Sequence, residues 1–338
     1  MDIIVEKIVY AAGKDSDEKA LIEVFSIEET LAEWKHVQTV ETKENAVFAV
    51  DREKNLLYAT SQESCRLTVF CIGSGGTLEP LQTVPLGLSG AENLHLQKDT
   101  LWAVGGACGV VAVHNLKEDG MLDGLKGCFS LDGECGPNKE RQIWVAPRQV
   151  ISPECSDYVW IVDSAQDNVR AYSVDYEAKP SQLFEIKLRP AACPFKMAVS
   201  QSKKMAYIIT EGVSLLVVCQ YDGLGELTPL QMHLLAIEDD VSVKSCAVDI
   251  CLSHDGTKLY IAIAGSDRIN VYDVADDGTV KFSTGFVSGG KDLISVLPAD
   301  NGVYAVHSAG EILLYRDDGK TEHAAFVPNV QSAVLLVR

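Results

Sequence analysis

A short apolar run carrying an aromatic, followed about a dozen residues later by a second apolar run, recurs seven times in this chain. The first four pairs are IVYAAG (8–13) with IEVF (22–25), LLYATS (56–61) with LTVF (67–70), LWAVGG (101–106) with VAVH (111–114) and VWIVDS (159–164) with VRAY (169–172). They continue as MAYIIT (205–210) with LVVC (216–219), LYIAIA (259–264) with INVY (269–272) and GVYAVH (302–307) with ILLY (312–315). The leading aromatics Tyr10, Tyr58, Trp102, Trp160, Tyr207, Tyr260 and Tyr304 are separated by 48, 44, 58, 47, 53 and 44 residues. From leading aromatic to the end of the second run the distance is 12 in five copies, 15 in the first and 11 in the last. Constant inner spacing with elastic outer spacing describes a rigid hairpin joined by variable loops.

A second landmark repeats with the same unit. GTLEPLQ (76–82) reappears as GELTPLQ (225–231), 149 residues or about three repeats later, which predicts a further strand entered through a glycine turn. Asp-Gly pairs mark that turn at Asp119-Gly120, Asp222-Gly223, Asp277-Gly278 and Asp318-Gly319. The runs are short, rich in β-branched and aromatic residues, and bounded by Gly, Asp or Pro, so helices are excluded. The one helix-like stretch, IEETLAEWK (27–35), occupies the slot of an outer strand and is expected to be a turn plus strand. A period near fifty with four short strands per unit is propeller spacing. The expectation is an all-β fold: a single seven-bladed β-propeller domain over residues 1–338, with four-stranded antiparallel blades. Too few residues precede Tyr10 for a complete first blade. The C-terminal run SAVLLVR (332–338) is therefore expected to return as the innermost strand of blade one, leaving no large open edge.

Composition narrows the function. Lys and Arg number 29 against 48 Asp and Glu, a net charge of −19. Nucleic acid and anionic membrane surfaces are poor partners for such a chain, because phosphate contacts need clustered cations. The start MDIIVEKIVYAAG has no basic region before its apolar run, and no apolar stretch is long enough to cross a bilayer. The ten cysteines are scattered without a CxxC pair. They are read as reduced thiols acting mostly as small hydrophobes in a cytoplasmic protein. None of the seven histidines falls in metal-ligand spacing, and the IGSGG run (72–76) lacks the strand–helix context of a phosphate loop, so no metal or cofactor is expected.

The hairpin HDGTKLYIAIAG and the central stretch ECGPNKERQIWVAPRQVISPECSDYVWIVDSAQDNVRAYSVD (134–175) resemble the seven-bladed lactonase family, which includes bacterial 6-phosphogluconolactonases and fungal carboxy-muconate cyclases. The resemblance covers essentially the whole chain. It implies that Arg141-Gln142 matches the family's Arg-Gln pair, and that Glu211, in Thr210-Glu211, matches the acid of its Asn-Glu. Elsewhere the chain departs from the family pattern. Ala146 and Arg148 stand at two family histidines, Cys193-Pro194-Phe195-Lys196 replaces Gly-Pro-Arg-His, and Ala264 replaces an arginine.

In a propeller, loops entering the innermost strands converge on one end of the central channel. The repeat register places Glu44-Asn45, Glu92-Asn93, Arg148, Phe195-Lys196, Asp249 and Lys291-Asp292 there. Lactone hydrolysis needs a general base for water and a cation or donor for the oxyanion. Glu211 or Asp249 suits the base, and Arg141, Arg148 or Lys196 the oxyanion. Glu211, Arg148 and Arg141 are thus the candidate catalytic residues, with Gln142, Glu92, Asn93, Lys196 and Asp249 as substrate contacts. Structural roles compete for the same side chains: Arg148 paired to Glu44 or Glu92, Asp249 accepting amides of the next blade, Arg141 holding loop carbonyls. Two functions follow. One is a lactonase-type hydrolase of a small cyclic ester, a sugar lactone or related ring compound, less anionic than a phosphorylated sugar. The alternative is a non-catalytic propeller binding a small ligand or protein, or a muconate-cyclase-like isomerase.

Overall fold

The computed structural model describes residues 6–28, 33–42, 46–61, 65–175, 179–235 and 245–338. Among the described residues the strands form seven four-stranded antiparallel sheets. Their innermost strands are Ser332–Val337, Ala46–Asp51, Asn93–Gln97, Pro147–Ile151, Pro194–Ser200, Cys246–Leu252 and Leu293–Ala299, for blades one to seven. Each lies against the innermost strands of the blades on either side, so the ring is closed. Closure is made by the chain ends: Ser332–Val337 pairs with Lys7–Lys14, setting Val334 opposite Tyr10 and Leu336 opposite Ile8. The expected return of the C-terminus is what the structure contains.

The recurring aromatic has a definite job. Its ring is buried between its own blade and the next, and in four of the seven copies its polar atom donates to the glycine turn that opens the next blade's outermost strand. Tyr10 reaches the carbonyl of Gly76 at 3.1 Å, Tyr58 that of Gly120 at 2.6 Å, Trp160 that of Gly225 at 2.8 Å and Tyr207 that of Gly278 at 3.0 Å. A large ring fills the wedge, and its one polar group is satisfied. Two constraints select glycine in the turn. At Gly225 φ is +84°, and a Cβ there would stand 2.8 Å from the Tyr158 ring.

The second landmark explains itself in the same way. Gln82 and Gln231, last residues of the two PLQ motifs, each close a two-bond amide clasp on the first residue of the next blade's outermost strand. Gln82 accepts from Leu122 N–H at 2.9 Å and donates to its carbonyl at 3.1 Å; Gln231 does the same to Val280 at 2.8 and 3.2 Å. Gln38 of blade one clasps Leu78 likewise, at 2.7 and 3.2 Å. Each clasp satisfies an edge amide and carbonyl that no sheet partner reaches.

Two expectations need adjusting. In 27–35 the outer strand starts only at Lys35, and residues 29–32 lie outside the described set. Trp34, just ahead of that strand, is buried against Tyr304 of blade seven with ring centroids 4.9 Å apart. All ten cysteines are free, yet only Cys193 and Cys219 are buried. Cys65 and Cys155 fall in turns and Cys128 on an outermost strand, positions that face solvent whatever their sequence neighbours.

Candidate functional site

The innermost strands of blades four to seven share an irregularity. Each has a register shift at its entry, between Pro147 and Gln149, Pro194 and Lys196, Ala247 and Asp249, and Leu293 and Ser295. The extra residue re-aims the side chains at that end of the strand, a device that recurs beside functional sites. The charged residues singled out from the sequence gather around this entry, on blades three to six.

There they are joined as three ion pairs, each crossing from one blade to another. Arg148 Nη1 donates to both Glu92 oxygens at 2.9 and 2.8 Å, while its Nε donates to Ser164 Oγ at 3.0 Å. Its guanidinium lies 5.8 Å from the Phe195 ring centroid. Arg141 Nη1 donates to Glu211 Oε1. Lys196 Nζ donates to Asp249 Oδ1 at 2.8 Å. Asp249 Oδ2 also accepts from Ser295 Oγ and from Val296 N–H, the latter at 3.0 Å. Gly106 makes room for Glu92, since a Cβ there would stand 2.5 Å from Glu92 Oε1.

Arg141, Arg148 and Glu92 line one cavity of about 230 Å³ with Ala107, Ile143 and Trp144. Glu211 joins this group through Arg141. Lys196 and Asp249 form their own pair further round the ring. Gln142 and Asn93 are turned onto backbone. Gln142 Oε1 accepts from Asn138 N–H at 2.9 Å and its Nε2 donates to Ser164 O at 3.1 Å, whereas Asn93 Oδ1 accepts from Val150 N–H at 2.9 Å. Lys291 and Asp292 sit in an exposed loop, and Glu44-Asn45 lie outside the described residues.

Three features escaped the sequence reading. Ile143 and Trp144 are 64% and 57% exposed at the cavity mouth, the ring of Trp144 being shared with a neighbouring hollow lined by Ala107, Cys108 and Val145. Two adjacent large apolar residues outside any strand, in an otherwise charged segment, were the available signal. The third is the DSAQD turn (163–167), which anchors both loops of the site. Asp163 Oδ1 accepts from the amides of Ala146, Ala165 and Gln166 at 3.2, 2.9 and 3.1 Å. Asp167 accepts from Ala191 and Cys193 N–H, both at 2.8 Å. The first fixes the approach to Arg148, the second the approach to Lys196. Burial raises the Asp163 carboxyl above the usual range, against the lowering effect of its amide donors and of Arg170.

Two thiols stand close to the Arg141–Glu211 pair. Burial, with the charges of Asp167 and Glu211, pushes Cys193 up to about 11, and burial with Glu211 raises Cys246. Both remain protonated near neutrality, so neither is an activated nucleophile.

Comparison with known proteins agrees with the architecture. The family model for the lactonase, 7-bladed beta-propeller, matches residues 7–326. An uncharacterized protein of Staphylococcus saprophyticus is 24% identical over 324 residues, covering 91% of each chain. A 6-phosphogluconolactonase of Yersinia enterocolitica is 22% identical over 277 residues, covering 81% of this chain and 78% of that one. Among solved structures, the periplasmic gluconolactonase of Pseudomonas aeruginosa superposes with a TM-score of 0.87 at 18% identity, over 98% of this chain and 99% of that one. The seven closed blades and the whole-length match define a propeller of the lactonase type. This chain belongs to the seven-bladed β-propeller lactonase family.

Proposed function

We propose that the protein hydrolyses a small, uncharged cyclic ester at the cavity formed by Arg141, Arg148, Glu92 and Trp144. The observation that carries this reading is the charge balance of the site. Three cations face three carboxylates, so no surplus positive charge awaits a phosphoryl group. The exposed Trp144 ring offers a stacking face for a sugar or other ring substrate instead.

In this mechanism Glu211 takes a proton from water as the water oxygen bonds to the lactone carbonyl carbon. The charge that develops on the carbonyl oxygen is met by the Arg148 guanidinium, whose Nη1 is steadied by Glu92 and Nε by Ser164. Collapse breaks the ring C–O bond, and the proton held by Glu211 passes to the leaving alkoxide, giving the hydroxy acid. Arg141 orients Glu211 in the resting state and gives up that contact when substrate enters.

The test is a lactone panel followed with a pH indicator, comparing glucono-δ-lactone and dihydrocoumarin with the phosphorylated sugar lactone. Hydrolysis of a neutral member, lost in Glu211→Gln with the melting temperature held, supports the reading. Equal turnover in Glu211→Gln and parent rejects Glu211 as base. The same closed ion pairs favour a second reading, a ligand-binding propeller without catalysis. Saturable lactone binding with no hydrolysis by the parent protein is its signature.

A further inference from the structure

The two copies of the PLQ landmark differ in a way that bears on the outer rim of the ring. GTLEPLQTVP (76–85) and GELTPLQMHL (225–234) run in register, with Gln82 and Gln231 making the same clasp. Each supplies the outermost strand of its blade, Leu78–Pro85 in blade two and Leu227–Leu234 in blade five, and so has one sheet partner and one free edge. Three differences matter along that edge. Thr228 stands where blade two has Glu79, Met232 where it has Thr83, and Leu234 where it has Pro85. Charged side chains and prolines are what keep an exposed edge from taking a further strand. Blade two has a glutamate and a proline at either end of its edge, Pro80 and Pro85. Blade five has only Pro229, at the bulge next to Leu230. Among the described residues, Leu227–Leu234 is the one outermost strand of the seven without an Asp, Glu, Lys or Arg, on a chain of net charge −19.

The unguarded part of the edge is Leu230–Leu234. One face of it is held from behind by blade six. Gln231 clasps Val280, and the His233 ring lies edge-on to Tyr272 with centroids 5.5 Å apart. Blade six has no such hold on blade seven. Thr284 stands opposite Val271 as Gln231 stands opposite Val218, and its side chain is too short to reach across, so that seam is unclasped. The other face of Leu230–Leu234 presents Leu230, Met232 and Leu234, which are 49%, 56% and 62% exposed. Met232 lies opposite Val217 and Leu234 opposite Leu215, both buried. The apolar layer between blades four and five thus runs out to the rim and stops there uncovered.

We propose that Leu230–Leu234 pairs with the same segment of a second copy of this chain, antiparallel about a two-fold axis at Met232, so that blade five of each copy joins one continuous sheet. Antiparallel pairing of identical strands sets Met232 opposite its own counterpart and Leu230 opposite Leu234 of the second copy. All the apolar side chains then share one face, where cross-strand neighbours touch. The stripe is its own complement, as a two-fold contact requires. Pro229, with no N–H to offer, falls beyond the paired run. Charge points to the same occupant. Two chains of −19 repel wherever their acidic surfaces meet, and along this strand the contact buries no carboxylate. About five residues a side fall well short of the roughly 20–30 of a stable interface, so the dimer is weak and forms at high concentration. The strand shares no residue with the lining of the lactone cavity, and pairing leaves that cavity open.

The test is sedimentation velocity of the full-length protein from about 1 µM to about 1 mM, with thermal melts to show that each variant is folded. The parent passes from monomer to dimer within that range. Met232→Thr combined with Leu234→Pro, which restores the residues of blade two, raises the dissociation constant at least about tenfold, and the single exposed change Met232→Lys does the same through charge. Cross-linking reads the register. Under mild oxidation Met232→Cys gives a disulfide-linked dimer above the background of the parent's own thiols. Leu230→Cys does not, because its counterpart lies about four residues along the facing strand, beyond disulfide reach. A parent that stays monomeric up to about 1 mM overturns the proposal. So does undiminished dimerisation in folded Met232→Lys, or equal cross-linking of the two cysteine variants. A monomeric parent that binds a labelled alternating Val-Thr peptide, with binding lost in Met232→Lys, gives the edge to a foreign strand and overturns self-pairing as well.

Discussion

The junctions between blades three and four and between blades six and seven are built from the same repeat, yet one is closed through its whole depth and the other only at its inner end. At the first, Asn93 and Gln97 on alternate positions of one strand bond to blade four, and Gln97 Nε2 reaches the Ser156 carbonyl at 2.7 Å. His95, between them, lies 2.7 Å from Ser152 Oγ, which itself donates to Gln97 Oε1 at 2.6 Å. Trp102 fills the outer wedge, edge-on to Phe129 at 6.3 Å. At the second, Asp249 ties the inner end to Ser295 and Val296, but Tyr260 borders an open groove. Inner seams hold the ring together, and outer seams are free to vary. A repeat protein can therefore lose an outer contact at one place and acquire a cavity there without opening.

The largest effect separating the two junctions is expected from their leading aromatics. Trp102→Ala removes a fully buried ring from a filled wedge and costs about 3–5 kcal/mol, whereas Tyr260→Ala enlarges a cavity already present and costs about half as much. Chemical denaturation of both variants measures this, and equal losses would erase the distinction.

The next effect is pH-dependent and belongs to blades three and four. Desolvation pushes His95 down to about 4, with the Gln97 hydrogen bond opposing. A histidine kept neutral in the fold binds fewer protons than in the unfolded chain. Its contribution is complete above pH ~6.5 and is lost as pH falls toward about 4, by about 3 kcal/mol. Thermal melts across that window should show the decline in the parent and a flatter profile in His95→Gln; the same slope in both proteins would exclude His95 as its source.

Smaller again is the clasp. Gln231→Ala strands the amide and carbonyl of Val280 and costs about 1–2 kcal/mol, while Thr284→Ala at the unclasped seam is nearly neutral, below ~0.5 kcal/mol. The smallest lies within blade six and crosses no junction. Hydrogen bonds from Ser253 and from the Thr257 amide and hydroxyl lower Asp255 to about 2. That turn contributes above pH ~4 and weakens as pH falls toward about 2. Asp255→Ala should cost less than about 1 kcal/mol at neutral pH, and a larger loss would mean that the turn supports the groove beside it.

Much of the fold is legible because the constraint behind it is periodic. Tyr10, Tyr58, Trp160 and Tyr207 recur at hairpin spacing because each meets the same glycine turn in the next blade. PLQ recurs because Gln82 and Gln231 clasp the same kind of edge. The site is read less completely because its partners obey no period. Arg141 meets Glu211 across 70 positions and Arg148 meets Glu92 across 56. Trp144 lies in a loop whose course no spacing rule describes, and Asp163 and Asp167, though at a regular hairpin turn, take their partners Ala146, Ala191 and Cys193 from loops that do not repeat.

By itself the amino-acid sequence determined the number of blades, their strand content and the closure by the C-terminal run, since hydrophobic periodicity and turn chemistry act locally and repeat. Only the tertiary structure decided which charges neutralise one another and which outer seam is left unfilled. Ion pairing and cavity shape depend on distances between segments far apart in the chain, and those distances exist only once the blades have packed.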